Sequence, residues 1–153
     1  TCRAKALSRN AVTTEDVDAV CAASDKESAF ALSNALLDRN IDAAFEALRV
    51  LRDADEKPTV VLSKITRVYA DLLCVKEIAE SGGVMAVVSK LKINEYKAKL
   101  YAKAAAGYTA ERLEGILRDC IAADIELKSR AADFLPVERL LCTAASGGRY
   151  GEA

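Results

Sequence analysis

The sequence has 153 residues and a formal net charge of −1, so it can bury the core of one domain and has no overall attraction for nucleic acid. It lacks histidine and its five cysteines are widely spaced, which disfavours most hydrolytic chemistry, metal ligation and a disulfide framework. It shows no signal stretch and no apolar run of about 18 residues, so we expect a cytoplasmic protein without a membrane span. The missing initiating methionine leads us to expect a piece of a longer protein.

Apolar residues recur every three or four positions along most of the chain, which predicts an all-α fold, a bundle of about seven helices. A short first helix should follow Thr13, because a threonine cap and the acids after it suit the free amides of a helix start. The next predicted helix, 27–38, has a wide apolar side that includes Phe30. A tight connection at Arg39 and Asn40 should join it to the following helix as a helical hairpin.

A long central helix is predicted from Pro58 to about Ser81, since proline suits the first turn of a helix. Its apolar seam is interpreted as the centre of the chain's own bundle, with a coiled-coil surface for a partner as the alternative. Gly82 and Gly83 should end the helix, one of them in a left-handed cap conformation. The seam residues are Val61, Ile65, Val68, Leu72, Val75 and Ala79.

Four further helices are predicted in the second half of the chain, with Asn94 and Thr109 as caps of two of them. The third of these carries Cys120 on its apolar stripe, which indicates a packing role for this cysteine and not a reactive one. The predicted helices are 84–91, 95–106, 109–130 and 135–145, and residues 147–153 form a tail that we expect to be disordered.

Asp124 interrupts the apolar stripe of predicted helix 109–130, and Lys128 follows it one helical turn later. One interpretation is an exposed ion pair, which would contribute about 0.3–0.5 kcal/mol. The other is a partly buried carboxylate that bonds a neighbouring helix or subunit and fixes its register. No paired nucleophile and base or phosphate-binding loop is present, so we predict no catalytic, cofactor or metal residues. The predicted stripe is Leu113, Leu117, Cys120, Asp124 and Leu127.

Charge is unevenly distributed along the chain. Residues 13–56 hold 11 acidic and 4 basic side chains, a local charge of −7, whereas residues 84–108 hold five lysines and one glutamate, a local charge of +4. The second region has the pattern of a helix-turn-helix, so one alternative is an independent DNA-binding regulator. The other interpretation is an ordinary helix pair, with Tyr96 on a buried face. Its lysines would then either solvate the surface or make weak phosphate contacts. The candidates for such contacts are Lys97, Lys99 and Lys103.

Several short motifs run through the chain in an order and spacing that are more informative than any one of them. They are Val12 to Val17, Ser28 to Phe30, Asn34 to Leu37, Ala47 to Leu51, Val75 to Glu77, Leu91 to Leu100, Asp124 with Lys128, and Glu138 to Leu141. Together they resemble the C-terminal half of the delta subunit of the bacterial DNA polymerase III clamp loader.

The resemblance implies a fold like a clamp loader collar, with residues 1–23 as the end of a lid-like middle domain and 24–146 as the helical collar. It implies that the collar assembles with other loader subunits, of the gamma/tau and delta-prime types, as part of a DNA polymerase holoenzyme. The sliding clamp would be contacted only by a missing N-terminal part, and DNA only indirectly. The interface candidates are Asp124, Lys128 and Glu138.

Overall fold

The computed structural model describes residues 27–129 and 133–146, so the first predicted helix and the predicted tail lie outside the described residues. The described residues form six α-helices and no strands, which confirms the all-α class. The helices are α1 (27–37), α2 (Ile41–Asp53), α3 (Pro58–Leu91), α4 (Glu95–Ala106), α5 (Ala110–Ser129) and α6 (Leu135–Ser146).

The tight connection between α1 and α2 lies at the predicted residues. Arg39 has a positive φ of 56°, and the Asn40 side chain caps α2 by accepting a hydrogen bond from the Ala43 amide at 3.1 Å. The Arg39 guanidinium donates a hydrogen bond to the Gly107 carbonyl at 3.1 Å and lies 5.0 Å from the centre of the Tyr108 ring. This turn therefore also holds the first two helices against the connection between α4 and α5.

Helix α3 is the centre of the bundle. It begins at Pro58 and contacts α2, α4, α5 and α6. The first five predicted seam residues are between 0% and 4% exposed, so this seam packs inside the chain as expected, while Ala79 is only partly buried. The five are Val61, Ile65, Val68, Leu72 and Val75.

The long helix breaks where its end was predicted. Gly83 has the non-helical angles φ 70° and ψ −171°, and a second helical segment follows this kink up to Leu91, as the predicted helix 84–91 requires. The expected positive φ is present, but the left-handed cap conformation is wrong, because ψ is extended. Almost only glycine adopts this backbone region, since a side chain there meets its own backbone.

We expect Gly83→Ala to lower the free energy of unfolding by about 1–3 kcal/mol, because alanine is strained at this φ although nothing lies within 4 Å of the added methyl group. Gly115→Ala is the matched control. It adds a methyl group in open space inside α5 and should raise stability by about 0.5–1 kcal/mol. Urea unfolding of both variants measures the difference, and equal effects would contradict the strain at Gly83.

The caps of α4 and α5 also match the sequence. The Asn94 side chain accepts a hydrogen bond from the Lys97 amide at 2.7 Å, and Thr109 accepts one from the Arg112 amide at 3.1 Å. Across residues 27–129 and 133–146, we find no helix with the length and apolar character needed to cross a membrane.

Candidate functional site

The buried side of α5 differs from the predicted stripe at two of its five positions, each of which is shifted by one residue. Ile116 and Ala123 are fully buried, whereas Leu117 is only partly buried and Asp124 lies at the edge of the core. Steps of three and four alternate in both versions, so helical periodicity fits each equally well. Packing against α3 and α6 selects the version with the small Ala123 inside. The observed stripe is Leu113, Ile116, Cys120, Ala123 and Leu127.

Asp124 pairs with Lys128 on its own helix, with 2.5 Å between the carboxylate oxygen Oδ2 and Nζ. The Asp124 and Lys128 side chains are 40% and 68% exposed, so the geometry is that of the exposed ion pair. The predicted position of Asp124 in the buried stripe was wrong. A pair this accessible to water contributes little to the stability of the chain alone.

Helix α5 also carries an exposed apolar surface that was not predicted, outside its buried side. Ile121 and Ile125 are 61% and 62% exposed and lie one helical turn apart, in line with the partly buried Leu117. We call these three residues the α5 stripe. The sequence does hold a signal for it, because α5 has more large apolar residues than one buried face accommodates.

Two ion pairs border the α5 stripe. Glu114 and Arg118 pair at 3.3 Å near its N-terminal end, and Asp124 with Lys128 lies beside its C-terminal half. Apolar residues between charged groups are the usual composition of a surface that another protein covers. Two of the three predicted interface candidates thus lie next to the α5 stripe.

Glu138, the third candidate, lies apart from the other two. Its carboxylate forms a salt bridge with Arg52 near the end of α2, and the Arg52 guanidinium lies 4.8 Å from the centre of the Phe134 ring. A carboxylate in the first turn of α6 also suits the positive end of the helix dipole. These contacts join α2 to α6 within the chain.

The three candidate phosphate ligands do not share one face of α4. Lys99 lies two residues after Lys97, so the two point to nearly opposite sides of the helix. Lys99 pairs with Glu95 at 2.6 Å, and this hydrogen bond lowers the pKa of the glutamate. Lys97 Nζ lies 5.4 Å from the centre of the Tyr101 ring, and Lys103 is exposed. The structure therefore does not gather these lysines into one site.

The sequence pattern predicted that Phe30 and Tyr96 lie on buried faces, and both predictions were wrong. The side chains are 68% and 77% exposed and line a groove of about 360 Å³ between α1 and α4. One signal was present for Phe30, whose neighbour one turn later is the polar Asn34, whereas the buried face of α1 runs through Leu32 and Leu36.

In the part of the chain that the structure describes, no three histidine, cysteine or acidic side chains are grouped as a metal ion requires. Cys120 is 2% exposed, and burial raises the pKa of its thiol to about 11. A thiol with this pKa is protonated near neutral pH and packs as a small apolar residue.

Comparison with known proteins gives consistent results. A family model described as the C-terminal domain of the DNA polymerase III delta subunit matches residues 26–143. DNA polymerase III subunit delta of Bacillus subtilis is 26% identical over 126 residues, which cover 82% of this chain and 36% of that protein. The solved structure of the Bacillus subtilis DNA clamp loader delta protein (YqeN) is similar with a TM-score of 0.67 and 26% identity, over 86% of this chain and 39% of that one. The chain thus spans less than two fifths of the length of these relatives.

Proposed function

Because this chain belongs to the family of the DNA polymerase III delta subunit, C-terminal domain, we propose that it acts as the collar of a clamp loader delta subunit. In this role it assembles with loader subunits of the gamma/tau and delta-prime types and so helps to place a sliding clamp on DNA. Contact with the clamp belongs to the rest of the delta subunit. The chain itself contributes assembly and no catalytic group.

The α5 stripe is the observation that carries this proposal. Full burial of an exposed isoleucine side chain contributes about 1.5–3 kcal/mol, and Ile121 and Ile125, which are 61% and 62% exposed, would together gain the part of this that remains. The neighbouring ion pairs would form the charged rim, which selects the partner and its orientation more than it adds affinity.

The surface is carried by a well-anchored helix. The other side of α5 is buried against α3 and α6, and Glu126 on α5 pairs with Arg139 on α6 at 3.1 Å. The Arg112 guanidinium donates a hydrogen bond to the Thr143 carbonyl at 2.5 Å, which fixes the start of α5 to α6. A surface held in this way loses little conformational freedom when a partner binds.

The alternative of an independent DNA-binding regulator is not favoured. The three candidate lysines do not share one face of α4, and one of them, Lys99, is paired with Glu95. Residues 84–108 also contain no arginine, which is the commonest side chain in specific contacts with guanine.

Substitution of both isoleucines tests the proposed collar role. We expect the wild-type chain to co-elute with the other loader subunits in size-exclusion chromatography, and Ile121→Asp/Ile125→Asp to bind at least about tenfold more weakly, because two charges would lie in a desolvated contact. The two side chains are exposed, so the melting temperature of the chain alone should hardly change.

Met85→Asp is the matched control, since Met85 is a large apolar side chain that is 66% exposed but belongs to α3 and not to the α5 stripe. It should bind like the wild type. A wild-type chain that does not co-elute would contradict the collar role, and a double variant that binds normally would contradict the α5 stripe as its contact.

A further inference from the structure

Seven side chains along the exposed side of α5 are arranged symmetrically about Ile121. Three are the apolar residues of the α5 stripe, and four form the two ion pairs that border it. Since a helix has about 3.6 residues per turn, all seven lie within an arc of about 120°. Each of the six others has a counterpart at the same distance from Ile121 in the opposite direction along the helix. The counterparts are Leu117 with Ile125, Arg118 with Asp124, and Glu114 with Lys128.

We propose that α5 pairs with α5 of a second copy of the chain, antiparallel and about a two-fold axis at Ile121. Two copies related in this way bring residues at equal and opposite distances from the axis face to face. Ile121 then meets Ile121 of the second copy. Leu117 and Ile125, four residues to either side of it, meet each other. The apolar residues of each α5 stripe are thereby removed from water by those of the other.

The charged counterparts are complementary in the same arrangement. Arg118 and Asp124 lie three residues from Ile121 in opposite directions and carry opposite charges. Glu114 and Lys128 lie seven residues from it and also carry opposite charges. The two-fold axis therefore places an acid opposite a base at all four charged positions of each copy. Electrostatic complementarity of this kind fixes the register of a contact and suppresses other pairings.

Charge also selects the antiparallel direction over the parallel one. In a parallel pair in register, Arg118 would face Arg118 and Asp124 would face Asp124, and like charges face to face are unfavourable. In the antiparallel pair the two ion pairs within each copy, Glu114 with Arg118 at 3.3 Å and Asp124 with Lys128 at 2.5 Å, keep their partners. Each charge then has an opposite charge beside it on its own helix and another across the contact.

The pairing would compete with assembly of the clamp loader. Pairing itself needs no other subunit, and only this competition rests on the proposed function, in which the α5 stripe contacts another loader subunit. A contact between two single helices is at the small end of protein interfaces, below about 1,200 Å², so we expect a weak dimer with a Kd of about 10–100 μM. A loader subunit with a larger contact would displace the second copy.

Sedimentation equilibrium of the 153-residue chain alone, between about 10 μM and about 1 mM, tests the proposal. We expect a reversible equilibrium between monomer and dimer. Arg118→Glu and Asp124→Arg each place like charges face to face on both sides of the axis and should weaken dimerisation at least about tenfold. Arg49→Glu is the matched control, because Arg49 forms a similarly exposed ion pair, with Glu46 on α2. It should leave dimerisation unchanged.

Recombining the two charge reversals distinguishes a two-fold contact from any other. The double variant Arg118→Glu/Asp124→Arg again places opposite charges across the axis, and so does an equimolar mixture of the two single variants. Both should dimerise more tightly than either single variant alone. In a contact between two different surfaces the reversals have no such relation, and the double variant would bind more weakly than each single one.

Three results would overturn the proposal. A wild-type chain that stays monomeric at every concentration would exclude self-pairing, and co-elution with the loader subunits would still test the collar role separately. A dimer that neither single reversal weakens would lie on another surface. A double variant weaker than both single variants would exclude the two-fold register. Melting temperatures of the variants in dilute solution should stay close to that of the wild type, because both ion pairs are exposed.

Discussion

Leu72→Ala should lower the free energy of unfolding by about 2–5 kcal/mol. Leu72 is 0% exposed in the middle of α3, the helix that contacts α2, α4, α5 and α6. The substitution removes three buried carbon atoms and leaves a cavity in the core that the surrounding structure can close only in part. Both losses, of transfer free energy and of packing contacts, lower the stability of the native state.

Urea unfolding followed by circular dichroism measures this loss. Met85→Ala is the control, because it truncates a large apolar side chain on the same helix at a position that is 66% exposed. It should change the free energy of unfolding by less than about 0.5 kcal/mol. Similar values for the two variants would show that the seam of α3 is not the centre of the core.

Stability should fall steeply between pH 9 and pH 11, because burial raises the pKa of the Cys120 thiol from 9.0 to about 11. Below pH 9 the thiol is protonated in both states and stability is fully present. Above it, the unfolded chain loses the proton while the folded chain keeps it, so ionisation favours unfolding. The pKa difference corresponds to about 2–3 kcal/mol, and the part of the loss that the Cys120 thiol causes levels off above about pH 11.

Tyr69 adds to the alkaline loss of stability with the same sign. Burial raises the pKa of its hydroxyl above the ordinary value of 10.0, and the neighbouring Tyr108 contributes in the same direction. The two rings are in edge contact, with 6.2 Å between their centres. The unfolded chain therefore also loses this proton first, at a higher pH than that of the thiol.

Urea titrations at several pH values between about 8 and 11 isolate the contribution of Cys120. Cys120→Ala should be less stable than the wild type near neutral pH and should lose less stability as the pH rises. Cys74→Ala removes an exposed thiol from α3 and should keep the wild-type slope. Equal slopes in all three proteins would mean that the Cys120 thiol is not buried in its protonated form.

Much of the fold follows from local rules that the sequence displays. Asn40, Asn94 and Thr109 cap helices where predicted, and Pro58 begins the longest one. These features could be predicted because each depends on side chains and backbone amides only a few residues apart. The order of the short motifs along the chain likewise identified the family whose model matches residues 26–143.

The candidate site was less predictable. Asp124 and Lys128 were recognised as a pair, but the apolar surface beside them was not, since Ile121 and Ile125 lie outside the predicted stripe and were given no role. The contacts of Glu138 with Arg52 could not be foreseen, because 86 residues separate the two in the sequence. Packing sets the distances between helices, and no local sequence pattern indicates them.

The sequence by itself determined that the chain is helical, where most helices begin and end, and which residues are apolar enough to form a core. Only the tertiary structure decided which of these apolar residues are buried in the core. Ile116 and Leu117 fit the helical period equally, and so do Ala123 and Asp124, until α3 and α6 cover one side of α5. The physical reason is that a bundle of this size has room for one face of each helix, so packing buries Ile116 and leaves Ile121, Ile125, Phe30 and Tyr96 exposed.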